Sequence, residues 1–190
     1  MIKVFLALLI ISSTMFAKVT EESLMEELNH LTNAQYKVLL KTYKKGSVFD
    51  FELSMTSIAW HESHFGKHKM NLMDPSFGVF HNLIGSVIRR NGIRDTGWNR
   101  SRLAERLVDD YDFSFSQSLA ELKYWQNYWK SKRVSRVWSH MISSYNAGFN
   151  HSNGKDYLAA IKLKNKVLRK YIKQHQSLFD ALMYEHVVIK

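Results

Sequence analysis

Residues 49–63 read FDFELSMTSIAWHES, and how this stretch is wound decides the fold. Set on a helix at roughly 100° per residue, Phe51, Met55, Ile58 and Glu62 fall within about 60° of one another. A glutamate thereby closes an apolar stripe. Burial disfavours the charged form of a carboxyl, and a side chain that donates a proton at neutral pH needs such surroundings. The plainer reading is a glutamate at the fraying end of a helix that Gly66 stops.

The stretch continues to SIAWHESHFGKHKMN (57–71), which crowds His61, His64 and His68 around Glu62. A zinc helix of the HExxH type needs two histidines one turn apart, flanking the glutamate. The order here is His-Glu-Ser-His, and Gly66 lies between His64 and His68. No cysteine is available as an alternative ligand. We therefore expect solvated histidines, with no metal and no cofactor. A zinc protein using His61 or His64 stands as a rival.

At 190 residues, with 45% apolar and 13% aromatic side chains, the chain has the composition of one globular domain able to bury a core. One proline and eight glycines suit a helical protein better than a strand-and-turn one. The opening MIKVFLALLIISSTMFA (1–17) has the layout of a signal peptide: Lys3, an apolar run over Val4–Ile11, then small and polar residues up to Ala17. That run is shorter than the ~20 apolar residues of a membrane helix. The expectation is an exported protein, periplasmic or at the bacterial cell envelope, with no stable membrane span; an uncleaved anchor is the minority reading. Without cysteine there is neither a disulfide nor a lipid-modified N-terminus. Loss of residues 1–17 removes one lysine and lowers the net charge from +10 to +9. Such a surface suits anionic polymers, and export argues against nucleic acid; a merely solubilising basic surface is the alternative.

Further along, NLMDPSFGVFHNL (71–83) carries the turn signal Asp74-Pro75. Gly78, set among apolar residues, allows a tight bend or a close backbone approach. The stretch NGIRDTGWNR (91–100) reads as a loop. From about Ser116, Leu119, Leu122, Trp125 and Trp129 recur at helical spacing, and Val134, Trp138, Met141 and Tyr145 repeat the offsets seen before Glu62. Gly148 makes a good stop after Asn146-Ala147. Glu62 and Tyr145 are thus two polar groups at the ends of apolar faces, and buried polar groups seek partners, so we expect them to meet. The basic run KLKNKVLRKYIK (162–173) belongs to a helix whose core stripe is Leu158, Ile161, Leu168 and Ile172.

Three of these pieces, in order, make the chain resemble the lysozyme-like lytic transglycosylases, the branch of soluble lytic murein transglycosylases and secretion-associated wall-opening enzymes. They are Glu62-Ser63 closing an apolar helix, the loop Ser76-Phe77-Gly78-Val79-Phe80-His81, and Ser144-Tyr145-Asn146-Ala147-Gly148. The likeness covers about residues 45–175. Two departures stand out: His81 replaces the usual glutamine, and Phe80 stands where methionine is common. Ser101–Asp112 reads as an insertion.

The resemblance implies a mainly α, lysozyme-like single domain with a substrate groove between helices and room for a minor β-hairpin. The division is a signal peptide at 1–17, an N-terminal helical extension at 18–44 and the catalytic domain at 45–190. It implies cleavage of the β-1,4 bond between N-acetylmuramic acid and N-acetylglucosamine, leaving a 1,6-anhydro end. Glu62 would be the single catalytic group, Tyr145 would orient it, and Asn146 would shape the cleft. Ser63, Ser76, Gly78, Val79, Phe80 and His81 would bind the sugar, with a capping hydroxyl as the alternative for Ser63. The implied partner is the glycan strand of peptidoglycan, and a secretion or envelope machine is left open as a further one. A hydrolytic lysozyme normally needs a second carboxylate; animal-type relatives carry an aspartate where this chain has Ser76, and Asp74 is the nearby candidate. Hydrolysis on the same fold, and a non-catalytic wall-binding or secretion-assembly module, are the alternatives.

Overall fold

The computed structural model describes residues 19–184. The expected signal peptide lies outside the described residues. What is described is mainly helical, with one small sheet. Helices α1 (Glu21–Asn29) and α2 (Asn33–Ser47) each start at a threonine, Thr20 and Thr32, whose side chain accepts from the backbone three residues on in a capping box. The expected boundary at 44/45 falls inside α2, and Leu24, Leu28 and Leu39 belong to the same core as the helices that follow.

Helix α3 (Glu52–Ser63) is the axis of that core. Ser54 to Trp60 are all buried, so the helix is enclosed on every side rather than along the single stripe its larger residues mark out. Its small polar residues serve neighbours instead of solvent. Ser57 donates to Asn165 Oδ1 at 2.5 Å, Ser54 accepts from the indole of Trp138 at 3.0 Å, and Trp60 donates to Glu27 Oε1 at 2.5 Å. Each bond ties α3 to a different helix, because a buried polar group must be paired.

The helix ends one residue past Glu62. His64 provides the left-handed cap, followed by Phe65 and Gly66 at φ 56° and 84°, so the reversal begins before the glycine expected to stop it. Phe65 is held in this unusual conformation by burial and by stacking on Trp60, with centroids 6.0 Å apart.

The chain then forms an antiparallel meander, β1 (Met70–Asn71), β2 (Ser76–Phe77) and β3 (Asn82–Leu83), paired in sequence order with a turn over 72–75. Gly78 follows β2 at φ 83°, and a Cβ there would sit 2.4 Å from both the Leu107 carbonyl and Ser114 Oγ. The glycine is needed because the loop presses on neighbouring backbone.

Helices α4 (Ile84–Arg90) and α5 (Gly97–Asp109) form a second, smaller core from Ile84, Val87, Ile88, Leu103 and Leu107. The expected loop over 91–100 therefore ends early: Thr96 caps α5, and Gly97 to Arg100 are its first turn. Most of the stretch read as an insertion is this helix. Helix α6 (Tyr111–Ser131) starts five residues before the expected Ser116, because Asp110 accepts from Phe113 N at 2.9 Å. Leu119, Leu122, Trp125 and Trp129 all face inward as expected.

Helix α7 (Val137–Ala147) ends at Gly148 as the sequence predicts, although Val134 lies before it. A 3₁₀ turn (His151–Gly154) leads into α8 (Lys155–Gln174), and α9 (Gln176–Tyr184) follows. A Cβ on Gly154 would lie 2.5 Å from the Ser143 carbonyl, so only glycine lets α8 begin hard against α7. Ile161 and Leu168 of the expected stripe are fully buried. Among the described residues no helix is long and apolar enough to cross a membrane.

Candidate active site

Glu62 leaves the buried helix α3 in its last turn and faces a cleft of about 920 Å³. Its side chain is 18% exposed. The end of α3 is anchored by Ser63, whose hydroxyl donates to the Val79 carbonyl at 2.6 Å and accepts from Gly66 N at 2.8 Å. The carboxylate is thereby fixed to the meander that forms one wall.

Two groups from other parts of the chain meet this carboxylate. The Tyr157 hydroxyl donates to Oε1 at 2.7 Å, and His81 Nδ1 lies 3.4 Å from Oε2. Burial, then the nearby Glu62 charge, push the Tyr157 phenol well above its ordinary range, so it remains a neutral donor. The other face of His81 is occupied as well: Nε2 donates to the His68 carbonyl at 2.7 Å. Burial pushes the His81 imidazole down, but its contact with Glu62 and its bond to His68 prevail, and its pKa is raised.

Tyr145 does not bond Glu62, contrary to expectation. Its hydroxyl donates to the Phe80 carbonyl at 2.9 Å and accepts from Ser118 at 2.9 Å. It stacks on Tyr157 with centroids 6.4 Å apart. Tyr145 thus buttresses the tyrosine that reaches the carboxylate and pins the loop that carries His81. The phenol that meets Glu62 comes instead from Tyr157 in the first turn of α8.

Of the other residues expected to bind a ligand, Ser76, His81, Tyr145 and Asn146 line the cleft. Ser63, Gly78, Val79 and Phe80 do not. They are buried beneath it and support the wall through the contacts already given. Asp74 lines the cleft from the exposed turn between β1 and β2.

The histidines around Glu62 disperse to separate partners. His61 packs edge-on against Tyr157 at 4.9 Å, His64 pairs with Glu27, and His68 offers its carbonyl to His81. Among the described residues no cluster of three or more His, Cys, Asp or Glu is arranged to hold a metal.

A second glutamate, Glu121 of α6, lines the same cleft. It pairs with the Arg90 guanidinium through Oε2 and accepts from the Trp125 indole at 2.7 Å through Oε1. Arg90 also donates to the backbone and side-chain oxygens of Gln117, at 3.1 and 3.0 Å. Tyr124 and Phe149 add aromatic surface at this end.

Tyr157, Glu121 and Arg90 lie outside the residues the sequence marks as candidates. Tyr157 did leave a trace, since it precedes the buried Ile161 by four residues and so begins the α8 stripe. Glu121 left none, because a glutamate on a helix rich in polar residues reads as solvent-facing. The site therefore sets polar and aromatic side chains around a carboxyl group whose partners both carry exchangeable protons. Compared with known proteins, the chain matches no family model, no curated protein and no solved structure.

Proposed function

We propose that the chain is an exported peptidoglycan lytic transglycosylase with a lysozyme-like arrangement, in which Glu62 serves in turn as acid and base. The observation that carries this reading is one sheltered carboxyl at the end of a buried helix, opening on a cleft of about 920 Å³ and held by a phenol and an imidazole. Glu62 protonates the glycosidic oxygen as the bond to C1 of the muramoyl sugar breaks. The resulting carboxylate stabilises the positive charge on the ring. It then takes the proton of the C6 hydroxyl as O6 closes onto C1. The proton lost by the hydroxyl balances the one given to the leaving sugar, so no water and no second carboxylate are consumed.

Hydrolysis on the same site has one observation in its favour, since Asp74 borders the cleft. Its position on an exposed turn makes it a weak candidate for a fixed nucleophile or base. Glu121 is unsuited to either role because a guanidinium and an indole already occupy its oxygens. The net positive charge fits an anionic wall polymer. The test is mass spectrometry of purified sacculi digested with the wild type and with Glu62→Gln. Anhydro-ended fragments from the wild type alone are expected. Fragments gaining one water support hydrolysis, and equal digestion by both proteins refutes the role of Glu62.

A further inference from the structure

Resting on the glycan-cleaving reading, we propose that Glu62 and His81 hold one proton in common, and that this shared proton is the one delivered to the glycosidic oxygen. The inference starts from the tautomer. A carbonyl can only accept, so the 2.7 Å contact with His68 O requires the hydrogen on His81 Nε2. Nδ1 is then left facing Glu62 Oε2 at 3.4 Å. A bare ring nitrogen against a bare carboxylate would set two lone pairs against each other. One proton between them removes the conflict, either as imidazolium and carboxylate or as imidazole and carboxylic acid.

The backbone is built for this orientation. His81 adopts φ 44°, an uncommon conformation for a residue other than glycine, and its N–H donates to the Gly78 carbonyl at 3.2 Å. Tyr145 fixes the neighbouring Phe80 carbonyl. The ring is thus locked at Nε2, at its own backbone and one residue upstream.

The surroundings leave Glu62 as its principal ionic partner. His61, on α3, is held towards its neutral form, its pKa lowered by burial first and by Lys164 and His81 as lesser causes. Tyr157 and Tyr145, from α8 and α7, are neutral because burial first and Glu62 second raise both phenols. Further along the cleft, Arg90 and Glu121 neutralise each other, leaving Asp74 and Arg89 near its rim. The raised pKa of His81 agrees with this partnership.

In the water-filled cleft the ion pair is favoured and the proton rests on Nδ1. When a glycan strand expels water, separated charges cost more than the neutral pair. The proton then crosses from Nδ1 to Oε2, and Glu62 becomes a carboxylic acid as the substrate arrives. After delivery, Oε2 recovers a proton from the C6 hydroxyl and can return it to Nδ1. His81 is therefore a positioning residue that acts through Glu62.

Two measurements on the full chain test this. The first follows the His81 ring nitrogens by ¹⁵N NMR across pH in the wild type and in Glu62→Gln. Nε2 is expected to stay protonated, and the Nδ1 titration to fall by about one unit or more in the variant. Identical titrations, or a bare Nε2, overturn the shared proton. The second compares pH–rate profiles for sacculus cleavage by the wild type, His81→Gln and His81→Asn, asparagine tolerating the left-handed backbone. Both variants should move the alkaline limb downward by about one unit or more, whereas a purely structural role would leave the limb in place and overturn the delivery step. NMR needs no turnover. A coupled titration in a protein that cleaves nothing thus rejects the glycan reading and the delivery step, and cleavage without coupling rejects the shared proton and its delivery while leaving the glycan reading standing.

Discussion

The end of α3 and the middle of α6 each present a glutamate to the same cleft, and their surroundings differ in kind. Glu121 meets Arg90 and Trp125, a cation that does not give up its proton and an indole that only donates. Glu62 meets Tyr157 and His81, a neutral phenol and an imidazole that changes charge near neutral pH. Both side chains are similarly sheltered, at 22% and 18% exposed. Burial alone therefore does not separate a structural carboxylate from a reactive one. The partners do: Arg90 ties Glu121 into a bracket between α4 and α6, while the partners of Glu62 allow a proton to come and go.

Exchanging each glutamate for glutamine breaks this comparison most severely. Glu62→Gln should lower sacculus cleavage by about 10²–10⁴-fold, the usual worth of a general acid or base. Thermal and denaturant midpoints should change little. Glu121→Gln should show the reverse emphasis, costing about 1–3 kcal/mol of stability by leaving the half-buried Arg90 without its charge partner. Its kinetic loss should be much the smaller of the two. Equal kinetic losses would erase the distinction between the sites.

The two tyrosines sharpen it further. Tyr157→Phe removes a hydrogen bond to a charged group worth about 1.5–3 kcal/mol, so kcat/KM should fall by roughly 10–100-fold. Tyr145→Phe leaves the Phe80 carbonyl without its phenol and should cost stability, about 1–3 kcal/mol in urea unfolding, more than it costs turnover. The opposite ranking would restore Tyr145 as the partner of the carboxylate.

A backbone change tests how Tyr157 is placed. Gly154→Ala inserts a methyl group 2.5 Å from the Ser143 carbonyl and should destabilise by about 1–3 kcal/mol. Because it shifts the first turn of α8, it should also weaken cleavage, and Gly97→Ala, at a glycine that like Gly154 has no positive φ but whose added Cβ meets no atom within 4 Å, is the control.

The smallest effect is in pH. A histidine with a raised folded pKa stabilises the fold most below its unfolded value, near 6.5. That contribution fades as pH rises through the folded value. The wild type should therefore lose stability over this window relative to Glu62→Gln, in which the contribution of His81 is removed while the opposite trend from His61, His64 and His140, all lowered chiefly by burial, is common to both.

The helices were legible where large apolar residues recur at helical spacing, as in Leu119, Leu122, Trp125 and Trp129 of α6 or Ile161 and Leu168 of α8. Helix α3 was legible only on one face. Its other faces set Ser54, Thr56, Ser57 and Ala59 beside Leu53 and Trp60, and hydroxyls that look solvent-facing in sequence are bonded inside, to Asn165 and Trp138. Glu62 was found because it continues an apolar stripe. Tyr157 was overlooked because local periodicity cannot tell which of two buried phenols lies nearer a carboxylate 95 residues away, a matter decided by the approach of α8 to α7 at Gly154. His81 was legible as a cleft residue, and only the carbonyl of His68 reveals which of its nitrogens faces Glu62.

The central claim is that the C6 hydroxyl of the substrate, not water, closes the reaction that Glu62 opens. Digesting purified sacculi in water enriched in ¹⁸O and weighing the new chain ends tests it most directly. The account predicts ends that carry no ¹⁸O and are lighter by one water than reducing ends. One ¹⁸O atom incorporated for each bond cleaved would contradict it.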